Sequence, residues 1–229
     1  MKLNPRFLEP TFLDPELNGS FLSESIDTLK RNNQVTGITV SPFWVKKAVR
    51  DLGESDCMVS TVVGYPHGFQ QSLTKLTEAK EAIAQGALGI QMVWSQTAYR
   101  SGMTWPKIEI AQLAKVCHES GCLLSVMVDE RWIKSLEELF EIARSIQDGG
   151  ADYIILGVNE ASKSDLDWIK ALRANLSSQV GIMTFWEGKN EQLAVDFVQA
   201  GIDRLLCPFT DQKLFTEVNQ DKRNNKEGE

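Results

Sequence analysis

The chain has 229 residues, of which 42 % are hydrophobic and 24 % are charged, and its formal net charge is -7. This composition is typical of a globular domain, and the length fits one large domain. The excess of acidic residues argues against a nucleic-acid backbone or an anionic membrane surface as the partner, although a local site can still oppose the global charge.

Short apolar runs of strand length alternate with longer amphipathic segments along the chain. The first candidate strand is a short run at Phe7 and Leu8, just before Pro10. The other predicted strands cover residues 37–40, 59–63, 90–93, 123–128, 153–156, 180–184 and 204–207. The predicted helices cover residues 73–85, 106–120, 134–147, 163–175 and 190–200, and Pro106 opens the second of them.

A weak internal repeat joins a helix end to a strand start at residues 85–90, 149–154 and 200–205. In each copy a glycine can take the left-handed conformation after the helix. Repeated βα units predict a parallel sheet of the α/β class, and about eight strands predict a TIM (β/α)₈ barrel. An open doubly wound sheet is the alternative. We expect a single barrel domain over residues 1–218 and a disordered, charged tail over residues 219–229.

Cofactor and targeting signals are weak. The cysteines Cys57, Cys117, Cys122 and Cys207 form no CxxC pair, and we interpret them as buried reduced thiols rather than a metal or redox site. Carboxylates and histidines show no metal-ligand spacing, so we expect no metal and no cofactor. The sequence has no signal-peptide core and no bilayer-spanning apolar run, which predicts a cytoplasmic protein.

Several segments resemble the deoxyribose-phosphate aldolase family. They are residues 40–45 (Val-Ser-Pro-Phe-Trp-Val), residues 61–68 with the turn Gly-Tyr-Pro-His-Gly, the helix at residues 75–83, and Ser101-Gly102. The resemblance runs from Leu8 to about Cys207 and implies an aldolase-type TIM barrel. The family uses a Schiff-base lysine on the sixth strand, a second lysine on the seventh that tunes it, and an aspartate on the fourth.

The resemblance places other residues at these positions. The Schiff-base lysine falls on Ile155, the second lysine on Met183 and the aspartate on Gln91, and a lysine of the fifth strand becomes Ser125. The family's phosphate loops, which follow the seventh and eighth strands, fall on residues 185–187 and 206–209. These include Trp186, Glu187 and Pro208, which suit a phosphate poorly because of bulk, charge and a missing N–H donor.

Function in this fold lies at the C-terminal ends of the strands. The residues predicted for that rim are Glu9, Thr11, Ser41, Trp44, Tyr65, His67, Trp94, Ser95, Asp129, Glu130, Arg131, Trp132, Asn159, Glu160, Trp186, Glu187 and Lys189. Among them Glu9, Asp129 and His67 are acid–base candidates. The ligand-binding candidates are Trp44, Tyr65, Gln91, Trp94, Trp132, Asn159, Trp186 and Glu187, because aromatic faces and carboxylates together favour an aromatic, amphipathic or cationic molecule.

Three hypotheses follow. The first is an enzyme that acts on a small, unphosphorylated molecule without Schiff-base chemistry. The second is a non-catalytic binding or regulatory protein, in which the tryptophans merely cap the barrel and the carboxylates are solvated. The third is a residual aldolase that uses another lysine, such as Lys189. We expect a small-molecule ligand, no nucleic acid and no membrane, and the resemblance suggests a homodimer.

Overall fold

The computed structural model describes residues 3–32, 35–158 and 166–209, and within them the chain forms a closed barrel. Eight parallel strands pair in sequence order, and the last pairs with the first to close the ring. The prediction of a single TIM (β/α)₈ domain is therefore confirmed, and the open doubly wound alternative is wrong. The predicted tail at residues 219–229, and the barrel residues predicted at 210–218, lie outside the described residues.

The strands are β1 Leu8–Phe12, β2 Gly37–Val40, β3 Met58–Val63, β4 Gly89–Val93, β5 Leu123–Val128, β6 Tyr153–Leu156, β7 Gly181–Phe185 and β8 Arg204–Pro208. The helices are α1 Gly19–Asn32, α2 Val45–Leu52, α3 Ser72–Ala84, α4 Gln96–Arg100, α5 Trp105–Glu119, α6 Leu136–Asp148, α7 Leu166–Asn175 and α8 Glu191–Gln199. No helix among these is long and apolar enough to cross a membrane.

The internal repeat marks real joints between helices and strands. Gly86, Gly150 and Gly201 have φ angles of 100°, 88° and 104°, which is the left-handed region that favours glycine. Each of them follows a helix and precedes a strand, so the same local geometry returns the chain to the barrel three times. This recurrence explains why the predicted starts of β4, β6 and β8 agree closely with the structure.

The first strand was placed too early. Phe7 ends a 3₁₀ turn, Pro5–Phe7, and β1 runs through Pro10 to Phe12. Proline suits extended backbone and costs only one ladder hydrogen bond, so Pro10 does not end the strand. Helices α1, α2 and α4 were not predicted. In α1, however, Leu22, Ile26 and Leu29 are buried at helical spacing, a pattern that was available in the sequence.

Alternate residues of each strand face the barrel interior or the surrounding helices. On β6, Ile154 and Leu156 pack against the helices, whereas Ile155 belongs to a separate apolar cluster. Residues from six strands on different sides of the ring share this cluster, so it fills the interior. Its buried members are Val62, Val93, Met127, Ile155, Val158, Met183, Phe185 and Leu206.

The interior is polar toward the N-terminal ends of the strands. The inward-facing positions there carry buried polar side chains, namely Glu9, Thr39, Ser60, Gln91 and Ser125. The apolar cluster lies toward the C-terminal ends, at positions such as Val93 and Phe185, the last residues of β4 and β7. The barrel interior is therefore polar in its lower half, at the N-terminal ends of the strands. It is apolar in its upper half, at the C-terminal ends.

Tyr153 and Gly181 close the lower end of the barrel. The Tyr153 ring lies so close to Gly181 that a Cβ there would overlap the ring carbons. We expect Gly181→Ala to lower the free energy of unfolding by about 1–3 kcal/mol, because the ring must leave its position. Urea unfolding followed by circular dichroism measures this. In a Tyr153→Ala background the same change should cost much less, and an equal cost in both backgrounds would contradict the interpretation.

Candidate functional site

Four side chains form a hydrogen-bonded cluster in the lower half of the barrel. Glu9 Oε1 accepts from Thr39 Oγ1 at 2.6 Å and from Gln91 Nε2 at 2.9 Å. Glu9 Oε2 accepts from Arg204 Nη1 at 3.0 Å. Gly37, the first residue of β2, lies against both charged groups. The cluster is therefore at the N-terminal ends of the strands, opposite to the face that holds catalytic sites in this fold.

The expectation that Glu9 lies at the C-terminal rim is wrong. Since β1 continues to Phe12, Glu9 is its second residue and not its last. The side chain is 1 % exposed, and its carboxylate is already engaged by three donors. Thr11 and Leu13, the next inward positions on this segment, lie nearer the C-terminal face.

Gln91 links the polar cluster to the centre of the barrel. Besides Glu9, its Nε2 donates to Thr39 Oγ1 at 2.9 Å. Its Oε1 is buried and has no hydrogen-bond partner in the described part of the chain. The resemblance places the family's aspartate here, but an amide does not ionise near neutral pH, so Gln91 cannot exchange a proton as a carboxylate does.

Ile155 and Met183 occupy the interior positions that the resemblance assigns to two lysines. They are 0 % and 2 % exposed, and both belong to the interior apolar cluster. No inward-facing strand position in the described residues is a lysine. Neither side chain can act as a nucleophile toward a carbonyl, whatever its surroundings.

Two lysines outside the barrel interior, Lys75 and Lys189, each pair with a carboxylate. Lys75 is fully buried on the helix side of the barrel, where its Nζ donates to the Val93 carbonyl oxygen and to Glu109 Oε2, each at 2.9 Å. Lys189 follows β7, and its side chain is 83 % exposed, with Nζ 3.8 Å from Glu187 Oε2. Neither position places an amine in the barrel interior.

The three acid–base candidates have separate partners. Glu9 belongs to the lower polar cluster. Asp129 follows β5 and pairs with Arg131, whose Nη2 lies 2.6 Å from Asp129 Oδ2; this hydrogen bond raises the pKa of Arg131. His67 is exposed and stacks on Phe69 at 5.1 Å between ring centroids. No hydrogen bond or ion pair between these described residues joins Glu9, Asp129 and His67.

The tryptophans predicted for the ligand site face different ways. Trp94 and Trp186 are each 3 % exposed and belong to the core between barrel and helices. Trp186 Nε1 donates to the Asn190 carbonyl oxygen at 3.1 Å. Trp132 is 60 % exposed, and Trp44 is half-buried. The described positions of these rings therefore form neither a plug nor a common pocket.

Other predicted ligand residues have mixed outcomes. Tyr65 lines the cleft described next. Glu187 is exposed beside Lys189, and Gln91 lies below the apolar cluster. Asn159, together with the rim residue Glu160, lies outside the described residues. In the described ranges, no group of three or more His, Cys, Asp or Glu side chains could hold a metal ion.

A cleft of about 850 Å³ opens where β7, β8 and β1 end. Its described lining is Thr11, Phe12, Leu13, Asp14, Pro15, Glu16, Leu17, Asn18, Phe21, Tyr65, Phe185, Pro208 and Phe209. Aromatic rings supply much of the wall, and Asp14 and Glu16 supply two carboxylates. Lysine and arginine are missing from this described lining. The cleft therefore offers apolar and aromatic contact together with negative charge.

Sequence reasoning missed most of the cleft. The segment from Leu13 to Asn18 was not considered because the first strand was ended before Pro10. Extending β1 to Phe12 makes residues 13–18 the loop at the C-terminal end of that strand, which is the standard position of function in this fold. Pro15 and Asn18 in this stretch are turn and helix-cap residues that mark such a loop.

Comparison with known proteins finds similarity to aldolases. No family model matches it. A deoxyribose-phosphate aldolase from Brevibacillus brevis is 27 % identical over 210 residues, which cover 90 % of this chain and 91 % of that protein. One from Streptococcus pneumoniae is 29 % identical over 211 residues, which cover 90 % and 92 %. The chain is therefore similar to deoxyribose-phosphate aldolases over 90 % of its length.

Solved structures agree with the fold. An aldolase called QR15 has a TM-score of 0.84 at 19 % identity, and the match covers all of both chains. The deoxyribose-phosphate aldolase from Aeropyrum pernix, a tetramer, has a TM-score of 0.74 at 19 % identity over 89 % of this chain and 85 % of that one. The chain therefore shares the barrel fold of these structures over most of its length.

Proposed function

We propose that this chain is a divergent member of the deoxyribose-phosphate aldolase family, which binds a small, unphosphorylated molecule in the cleft and forms no Schiff base on β6 or β7. The observation that carries the proposal is the burial of Ile155 and Met183 in the interior apolar cluster. An imine needs an amine beside the substrate carbonyl, and the described residues of the apolar upper half of the barrel supply none.

The charge of the cleft supports the absence of phosphate from the ligand. A phosphate dianion is stabilised by cationic side chains, by backbone N–H donors and by helix N-termini. The cleft instead presents the carboxylates of Asp14 and Glu16, the ring of Phe185, and Pro208, which has no N–H. A neutral or cationic molecule with an aromatic or aliphatic body suits this lining better.

Binding without catalysis is the version that the geometry favours. Acid–base catalysis needs a donor and an acceptor within hydrogen-bond reach of one substrate. Glu9, Asp129 and His67 each have a different partner and lie on different parts of the barrel. Lys75 and Lys189, as alternative nucleophiles, lie outside the interior.

The thiols are compatible with the proposed cytoplasmic location. The cysteines are free, and three of them are buried. Burial raises the pKa of Cys57 and of Cys117 to about 12 each, so these thiols stay protonated and unreactive. Free buried thiols of this kind are typical of a reducing compartment.

Imine trapping tests the loss of Schiff-base chemistry. The full chain is mixed with acetaldehyde or with deoxyribose 5-phosphate in the presence of borohydride, and its intact mass is recorded. We expect no stoichiometric adduct under conditions in which the Brevibacillus brevis aldolase is fully labelled. A single labelled lysine in this chain would refute the proposal and identify the nucleophile.

Thermal unfolding with matched compounds tests the ligand class. Each amine or alcohol is compared with its phosphorylated counterpart, and we expect stabilisation only by the unphosphorylated member of a pair. Glu16→Trp, which fills the cleft, should abolish the shift, whereas Glu24→Trp, at an exposed position of α1, should retain it. Stabilisation by the phosphorylated members, or a shift unaffected by Glu16→Trp, would refute the proposed site.

A further inference from the structure

Three side chains separate the cleft from the barrel interior. Leu13, Tyr65 and Phe185 all line the cleft. Phe185 also belongs to the interior apolar cluster, and Leu13 and Tyr65 pack against that cluster. One side of each residue therefore faces the cleft, and the other side faces the cluster that contains Ile155 and Met183. We call Leu13, Tyr65 and Phe185 the cleft floor.

Phe185 is the most firmly held part of the cleft floor. It is the last residue of β7, and its side chain is 4 % exposed. It pairs with Leu206 of β8, and the next residue, Trp186, donates its backbone N–H to the Leu206 carbonyl oxygen at 2.8 Å. Leu13 and Tyr65 are only partly buried and lie in loops. Because a side chain on a strand is positioned more precisely than one on a loop, Phe185 is the rigid element of the floor.

The size of the Phe185 ring decides whether the cleft and the interior are connected. A buried aromatic side chain covers roughly 150–250 Å², and its closely packed neighbours cannot move far enough to take its place. On one side of the ring is the open cleft, and on the other side are the apolar side chains of the interior cluster. A smaller residue here would leave a passage from the cleft into the upper half of the barrel.

The charged and the apolar groups of the cleft lie at different depths. Asp14 and Glu16 are exposed, whereas the side chains of Phe12, Phe185 and Phe209 are buried. The rings of Phe12 and Phe209 lie 5.2 Å apart between centroids. A cationic head group is most stable near the carboxylates and water, and an apolar body is most stable on the buried rings. A bound amine therefore points its apolar end at the cleft floor.

We propose that Phe185 is the specificity-determining residue of the cleft and restricts it to ligands with a short apolar body. This inference rests on the binding of a small, unphosphorylated molecule proposed above. A longer ligand meets the Phe185 ring before its head group reaches Asp14 and Glu16, so it loses either the apolar contact or the charge contact. For the same reason, the interior cluster is closed to ligands.

Isothermal titration calorimetry with amines of increasing length tests the role of Phe185. The probes are benzylamine, phenethylamine, 3-phenylpropylamine and 4-phenylbutylamine. For the wild-type protein, we expect the highest affinity at one of the two shorter amines. Affinity should fall about 10-fold for 4-phenylbutylamine, because extra methylenes are forced against a packed floor. In Phe185→Ala, affinity should instead rise about 4-fold with each added methylene, the usual gain on burial. An unchanged length preference in Phe185→Ala would overturn the proposal.

Two further variants separate depth from stability and from the loss of any cleft ring. Phe185→Leu keeps a buried apolar side chain, so it should shift the preference toward longer amines by a smaller amount than Phe185→Ala. Phe21→Ala removes a cleft ring that is 39 % exposed and lies outside the described interior cluster. It should weaken all four amines by a similar factor. A changed length preference in Phe21→Ala would mean that the wall, and not Phe185, sets the depth.

Benzene distinguishes failure of this inference from failure of the proposed ligand class. It needs no carboxylate, and apolar cavities in protein interiors bind it. We expect benzene to raise the melting temperature of Phe185→Ala but not of the wild type. If no amine binds the wild type and benzene still distinguishes the two proteins, the role of Phe185 stands and the proposed ligand class fails. If benzene stabilises both proteins equally, or neither, Phe185 does not close the interior and the inference fails.

Discussion

Replacing Arg204 by methionine is expected to lower the free energy of unfolding by about 3–5 kcal/mol. The guanidinium is the only cationic partner that the described contacts give to Glu9, whose side chain is 1 % exposed. Methionine preserves most of the packing beside Tyr153 but leaves a buried carboxylate without a counter-charge. Urea unfolding of the purified protein measures the difference.

A double variant separates the charge effect from simple loss of packing. Glu9→Gln/Arg204→Met removes both charges, so it should be more stable than Arg204→Met alone, because no unpaired charge remains in the interior. If the double variant is as unstable as Arg204→Met or less stable, the loss arises from packing and the buried-charge explanation fails.

Replacing Lys75 by methionine is expected to lower the free energy of unfolding by roughly 3–5 kcal/mol as well. The reason is again a buried carboxylate that loses its counter-charge, here between the barrel and the helices. The Lys75 and Glu109 side chains are 0 % and 3 % exposed, and their charged atoms lie 2.9 Å apart. Methionine leaves Glu109 buried with only the Ser72 hydroxyl as a described donor, and it also removes the donor to the Val93 carbonyl oxygen.

The matched variant for this pair is Lys75→Met/Glu109→Gln, which removes both charges and retains the acceptor for Ser72. Differential scanning calorimetry should show its melting temperature above that of Lys75→Met. Proteolysis should show that α3 and α5 become susceptible in Lys75→Met before the rest of the barrel. A Lys75→Met variant as stable as the wild type would show that this ion pair contributes nothing.

The fold could be predicted from the sequence because it depends on local features that packing elsewhere in the protein does not change. The glycines at Gly86, Gly150 and Gly201 combine a conformational requirement with a position between a helix and a strand. Short β-branched runs such as residues 59–63 are buried on both faces, as parallel strands must be. Helix α1 was missed even though Leu22, Ile26 and Leu29 share one face, and α4 has only five residues, too few for a helical period to be visible.

The site was harder to predict because it depends on which end of a strand a residue occupies. Strand alternation predicts that Ile155 faces away from Ile154 and Leu156, and the interior cluster agrees. The predicted first strand ended four residues before the observed end of β1. Glu9 was therefore predicted at the C-terminal rim, although its carboxylate lies in the lower half of the barrel. Trp94 and Trp186 each follow a strand directly, and sequence alone does not show whether such a ring turns inward or toward the helices.

The cleft joins the first and the last strand of the barrel. Its walls come from the loop after β1 and from the end of β8, strands whose residues Glu9 and Arg204 pair across 195 positions of sequence. Contacts at such separation form late in folding, because a long loop must close before they can contribute. The cleft therefore exists only once the ring is complete. A molecule bound in the cleft contacts both the first and the last strand. Its binding free energy therefore stabilises the pairing of β1 with β8 against local unfolding.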